Sequence, residues 1–277
     1  MTSMRHMKNI NMTTKTNTFD ILDDAPQMCC MRSIEKPFIV QFNNGYADLN
    51  TGKFTIGELS SSTLTNMNIN CNYPIVTDID DQDITNYWRH DANLVPYDQC
   101  DVQEQMVGSF LNGLYKYKNV NLWAGGPKTG KTTFMKLIQE TFGNEYCKSI
   151  TLDENRHTQD MMDIGKYTTH QCWNDILDIV SDCNNKKILF IDNVCCEDAP
   201  AIISTIKSFV TGKDNYKKLN IVIITNTFSI PTVLMNGMAN ILTFHSTYDG
   251  SAEIDFEKLK PGFVRVALRG YMNYKKD

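Results

Sequence analysis

From Asn119 onward the apolar residues gather into short unbroken runs separated by stretches of helical spacing. Asn119–Ala124 (NVNLWA) is a short apolar strand, and Lys186–Asp192 (KKILFID) and Asn220–Asn226 (NIVIITN) are continuous apolar blocks. Such blocks are expected of strands covered on both faces in a parallel sheet. Between the first two, Thr132–Phe142 sets Phe134, Leu137, Ile138 and Phe142 on one helical face, with Gly143 as the stop. Cys172–Val180 reads as a second short helix, and Ala201–Val210 as a crossover helix. This alternation of strand and helix predicts an α/β fold. Upstream the period shortens. Phe38–Val40 with Phe42 reads as a strand, Asn43–Gly45 as a turn, Tyr46–Leu49 as a second strand and Asn50–Gly52 as another turn, a small β unit. Residues 81–118 then carry Tyr87, Trp88, Val102, Met106, Val107, Phe110, Leu111 and Leu114 at helical spacing, a stripe suited to packing. The first 30 or so residues, rich in Met, Asn and Thr without a period, read as a flexible tail. The expected organisation is a tail over 1–35, an α+β region over 36–118, the main α/β domain over 119–250 and a C-terminal extension over 251–277.

Composition narrows the class. Hydrophobic residues at 42% and charged residues at 21% are ordinary for a globular protein, and no apolar run reaches the roughly 20 residues of a membrane helix. No membrane partner is expected. The N-terminal MTSMRHMKNINMTTK lacks the apolar stretch of a secretory signal. Nine cysteines show no metal-like spacing, and they read as free thiols in a reducing compartment. A net charge of −5 argues against global attraction to nucleic acid but leaves room for a local basic loop.

The candidate chemistry begins at Gly125–Thr132, GGPKTGKT, which fits G-x-x-x-x-G-K-[ST]. In such a loop Gly125, Gly126, Pro127, Lys128, Thr129 and Gly130 turn successive N–H groups toward phosphate oxygens. Lys131 reaches the β- and γ-phosphates, and Thr132, followed by Thr133, opens the next helix, its hydroxyl ligating Mg²⁺. ATP and Mg²⁺ are the expected ligands. Asp192, ending KKILFID, is placed to hold the metal's water. Asn226, ending NIVIITN, is placed to orient the attacking water against the γ-phosphate. No N-K-x-D guanine reader follows that strand, which disfavours a GTPase, and few arginines follow the loop, which disfavours a small-molecule kinase with an arginine lid. Between Asp192 and Asn226, Lys213, Lys217 and Lys218 in a turn near Gly212 read either as a solvated hairpin or as contacts to a DNA backbone.

At these residues the sequence resembles superfamily 3 helicases of DNA viruses, whose core is an AAA+-like P-loop NTPase. Gly126–Thr132 matches that family's G-P-x-x-T-G-K-[TS] loop, and Lys207–Asn226 its block leading to a strand that ends in Asn. FNNGYADLNTGKF and QEQMVGSFLNG are similar to segments that precede the helicase in primase–helicases of poxviruses and other large DNA viruses. The likeness runs from about Phe38 to Phe244. It implies a homo-oligomeric, hexameric ring, ATP hydrolysis between subunits and movement on single-stranded DNA during viral genome replication. A separate primase or polymerase would be a partner, and the setting an infected cell, in the nucleus or a cytoplasmic virus factory. The sequence departs from that pattern in three ways. Asn193 stands where many members have a second acid, so Glu197 or Asp198 are the alternatives for a general base. The segment Pro231–Phe244 lacks the arginine that would reach a neighbour's ATP, leaving Arg265 and Arg269, read as lying on a strand. The chain is also too short for a primase domain. These departures keep open a second reading, a nucleotide-binding scaffold subunit that hydrolyses weakly.

Overall fold

The computed structural model describes residues 18–20, 38–59, 67–73, 99–112, 120–152, 178–183, 186–195, 198–210, 219–227, 239–245 and 255–274. The apolar runs do pair side by side. Strands β6 (Val120–Ala124), β7 (Cys147–Thr151), β8 (Ile188–Val194), β9 (Asn220–Thr225) and β10 (Asn240–Thr243) form a parallel sheet in the order β10-β6-β9-β8-β7. The three strands legible as apolar blocks occupy its centre, where both faces are covered. The two that close its edges, β7 and β10, were not anticipated, because CKSIT and NILT are short and half polar.

The upstream β unit is a second sheet. It comprises β1 (Thr18–Asp20), β2 (Ile39–Phe42), β3 (Gly45–Asp48), β4 (Lys53–Ile56) and β5 (Met67–Asn68) in the order β1-β4-β3-β2-β5. Its pairs are antiparallel except for β2 with β5. Strand β1 lies within the stretch read as a tail, with Phe19 opposite Phe54. The turn residue Asn44 also works as a clamp: its amide donates to the Tyr73 carbonyl and accepts from the Tyr73 N–H, both at 2.8 Å.

Four longer helices among the described residues carry the core: α1 (Cys100–Asn112), α2 (Lys131–Phe142), α3 (Ala199–Val210) and α4 (Phe256–Tyr274). Residues 178–181 are helical too, while the rest of the helix expected over 172–180 lies outside the described residues. In α2 the buried side chains include Phe134, Leu137, Ile138 and Phe142, the face expected from spacing, and Gly143 ends the helix with a positive φ of 88°. One face of the parallel sheet packs Val120, Leu122, Leu189, Ile191, Ile221 and Ile223 against α3. The other face joins α1, α2, α4 and the antiparallel sheet in one continuous core.

Helix α4 corrects the sequence reading. The segment GFVRVALRG, read as a strand that carries Arg265 and Arg269, is helical. Asp255 caps it, its carboxylate accepting from the N–H groups of Glu257 and Lys258 at 3.1 and 3.3 Å. Only positions spaced four apart, Pro261, Arg265 and Arg269, stay half-exposed between residues 261 and 271. The helix is covered nearly all round, so its neighbours rather than a single apolar stripe decide its state.

Helices α1 and α4 meet backbone to backbone. A Cβ on Gly108 would overlap the backbone of Gly270 and Tyr271, and one on Gly270 would overlap the Glu104 carbonyl. Nothing flexible stands at either point to yield. Gly108→Ala and Gly270→Ala should therefore each destabilise the fold by about 1–3 kcal/mol through overpacking, read as a lower urea midpoint with an unchanged slope. Wild-type midpoints would show that the helices can part without cost.

Candidate functional site

The glycine loop leaves the carboxyl end of β6, a central strand, and runs straight into α2. Beneath it stands Trp123, wholly buried, stacked on Phe134 with centroids 5.0 Å apart and flanked by Phe190 and Phe244. Its indole N–H points at the Met106 sulfur at 3.3 Å, which ties the strand to α1. This aromatic block fixes the exit of β6. Gly125 is then held on two sides: its N–H donates to the Thr227 carbonyl at 3.0 Å, just past β9, and a Cβ would crowd the Phe244 carbonyl, just past β10. Gly125 is thus required for close approach.

Beyond it Gly126 is buried and Pro127 and Lys128 are exposed. Lys128 (φ 60°) and Gly130 (φ 88°) both adopt left-handed backbone, the alternation that turns successive N–H groups to one side. Gly130 begins α2 without any side-chain cap, so the first N–H groups of that helix are not met by a capping oxygen. Thr129 is buried and donates to the Gly126 carbonyl at 2.8 Å. Lys131, only 4% exposed, folds back into the loop. Its ammonium donates to the carbonyls of Gly125 (2.8 Å) and Gly126 (2.7 Å) and to the Thr129 hydroxyl (3.1 Å). Burial pushes its pKa below the ordinary lysine value, and the nearby Asp192 carboxylate opposes that shift. Thr132 is exposed on the first turn of α2 and Thr133 half-buried beside it.

Alternation along the neighbouring strands decides where the other candidates point. Ile188 and Phe190 belong to the core shared with α2, so Asp192, two residues on, lies on the α2 side. Val222 and Ile224 do the same for Asn226. Asp192 is half-buried and Asn226 exposed, both at the carboxyl edge of the sheet. The structure thus brings Lys131 and Asp192 within electrostatic reach and sets Asn226 on the next strand. Lys213, Lys217, Lys218 and Glu197 lie outside the described residues. Asp198 stands half-buried at the foot of α3, its carbonyl accepting from the Ile202 N–H at 3.0 Å.

Two residues make contacts that the sequence reading did not foresee. Asn193 has left-handed backbone (φ 63°) and joins neighbouring strands through its side chain. Arg269, considered as a group reaching another subunit, is instead gripped within the chain. Its Nε donates to Glu104 on α1 at 3.0 Å, and its Nη2 donates to the other oxygen of the same carboxylate.

No protein-family model matches the chain, and no curated protein matches it. Among solved structures it is similar to C. elegans PCH-2, at 14% identity and a TM-score of 0.40, over 60% of this chain and 47% of that one. The chain thus spans less than half of that protein's length. No helix among the described residues is long and apolar enough to cross a membrane.

The Glu104–Arg269 pair is half-buried and bidentate, so cutting it should cost about 1–3 kcal/mol. Arg269→Ala is expected to lower the melting temperature while leaving nucleotide affinity at the wild-type value. A variant of unchanged stability but impaired turnover would return Arg269 to a role between subunits.

Proposed function

We propose that the chain is a P-loop ATPase that binds Mg²⁺-ATP at Gly125–Thr133. One observation carries this reading: a buried lysine wrapped by its own glycine loop stands within electrostatic reach of Asp192 on β8, the strand two places away. The residues fit the nucleotide. The uncapped start of α2 and the left-handed turns at Lys128 and Gly130 offer N–H donors to phosphate oxygens. Lys131 would exchange its bonds to loop carbonyls for bonds to the β- and γ-phosphates. The Thr132 hydroxyl and, through water, Asp192 would hold the magnesium, which neutralises charge on the phosphates. Asn226 would face the γ-phosphate and orient the attacking water.

In its finer form the proposal is a superfamily 3-like viral DNA helicase acting in genome replication as a homo-oligomeric ring on single-stranded DNA. The resemblance in sequence supports it, together with the parallel sheet that sets the loop, Asp192 and Asn226 at one edge. Lys213, Lys217 and Lys218 are the proposed contacts to the DNA backbone, and a separate primase or polymerase the proposed partner. A second reading, a scaffold subunit that binds nucleotide and hydrolyses it weakly, is favoured by Asn193, whose amide cannot take a proton. ATP turnover with and without single-stranded DNA separates the two: stimulation by DNA supports the motor, and binding without turnover supports the scaffold.

The site itself is tested by Lys131→Ala. Removing charge-assisted bonds worth about 1.5–3 kcal/mol should weaken ATP roughly 10- to 100-fold in a magnesium-dependent titration. Equal affinity in mutant and wild type would overturn the assignment.

A further inference from the structure

We infer that Asn193 is a positioning residue, whose amide orients Asn226 toward the terminal phosphate of a bound nucleoside triphosphate. The inference rests on the reading of the glycine loop as an ATP site. It starts from an irregularity in β8. The register between β7 and β8 sets Thr151 opposite Asp192, and the Leu152 N–H still donates to the Asp192 carbonyl at 3.0 Å. A regular parallel ladder would return the next bond from a backbone N–H of β8 to the Leu152 carbonyl. Instead β8 breaks register against β9 between Ile191 and Val194, and Asn193 turns to φ 63°. The side-chain Nδ2 of Asn193 takes over, donating to the Leu152 carbonyl at 2.9 Å.

That substitution settles the orientation of two amides. A carbonyl only accepts, so the nitrogen of Asn193 must face Leu152 and its Oδ1 must face the other way. Oδ1 accepts from Nδ2 of Asn226 at 3.0 Å. Flipping either amide would set like atoms against each other. Asn226 is thereby left with its own Oδ1 and its second N–H for a ligand at the sheet edge. The backbone of Asn193 acts as well, its N–H donating to Asp192 Oδ1 at 2.8 Å. One residue thus orders both the acid and the amide of the site.

Asparagine suits the position on both counts, since it tolerates left-handed backbone and carries donor and acceptor together. Aspartate shares the backbone tolerance but only accepts when ionised, so it would set a negative oxygen against the Leu152 carbonyl. This opposes the view of Asn193 as merely a lost general base, under which Asn193→Asp should raise turnover. Asn193→Gly removes the amide and keeps the backbone without strain.

The test is a set of ATP and ADP titrations with magnesium on the full chain, for wild type, Asn193→Gly, Asn193→Asp, Asn226→Ala and Asn193→Gly/Asn226→Ala. Each single variant should lower the preference for ATP over ADP about tenfold, with ADP affinity held. The double variant should lose little more than either of its parents, because both changes remove one coupled pair. Asn193→Asp should not gain turnover. A wild-type preference in Asn193→Gly, alongside a loss in Asn226→Ala, would overturn the positioning role while leaving the ATP site intact. Increased turnover by Asn193→Asp with an unchanged preference would do the same. A wild-type protein that binds neither nucleotide overturns the ATP reading and this inference with it.

Discussion

The backbone contact of Gly108 with Gly270 governs how the rest of the chain can pack. With no side chain between them, α1 and α4 lie closer than ordinary helices, and α4 sits at the middle of the larger core. On one side it takes the antiparallel sheet, where Met272 lies beneath Gly52. On another, Phe263 packs edge-on to Phe134 and beside Phe142, which are on α2. Helix α2 carries Lys131 at its start, so the position of the glycine loop follows from where α4 rests. Ion pairs mark the margins of this contact: Arg269 with Glu104 on α1, and Lys260 with Glu257 on its own helix and Glu140 on α2 at 3.8 Å. Their energetic weight is smaller than that of the apolar core.

The glycine loop is an unfavourable structure by itself. It buries an ammonium, keeps Lys128 in left-handed backbone and leaves the first turn of α2 uncapped. The surroundings offset these costs by rigidity. Trp123 and its aromatic neighbours hold the strand below, and Thr227 and Phe244 hold Gly125 from either side. Local strain at a site held in place by a well-packed frame is the arrangement expected where binding needs donors aimed in advance. The same logic extends to the far strand ends, where Asn193, in left-handed backbone, ties the ends of β7, β8 and β9 together.

Burial also sorts the thiols. Cys147 is deeply buried and its pKa is pushed up to about 12, and Cys71 rises to about 11, in each case chiefly because burial penalises the thiolate. Neither is a nucleophile at neutral pH. Cys195, just past β8, is the exposed thiol among the described residues.

Much of this was legible from residue order alone, wherever a signal is local. The apolar runs within 120–124, 188–191 and 220–225 declared central parallel strands, because a strand covered on both faces carries few polar residues; Asn121, Asn220 and Thr225 are the exceptions, buried with the rest. The spacing of Phe134, Leu137, Ile138 and Phe142 declared the buried face of α2, and GGPKTGKT declared the loop. What tertiary structure alone decided depends on contacts between distant residues. The segment GFVRVALRG is helical because the core surrounds it, and local period cannot report surroundings. Short, half-polar β7 and β10 are strands because neighbours offer them hydrogen bonds. Arg269 is an internal strut because α1, 165 residues earlier in sequence, presents Glu104. Asn193 looked like a missing acid from its position after Asp192. Its place in the site was decided by the break in β8, which brings its amide to the Leu152 carbonyl and to Asn226.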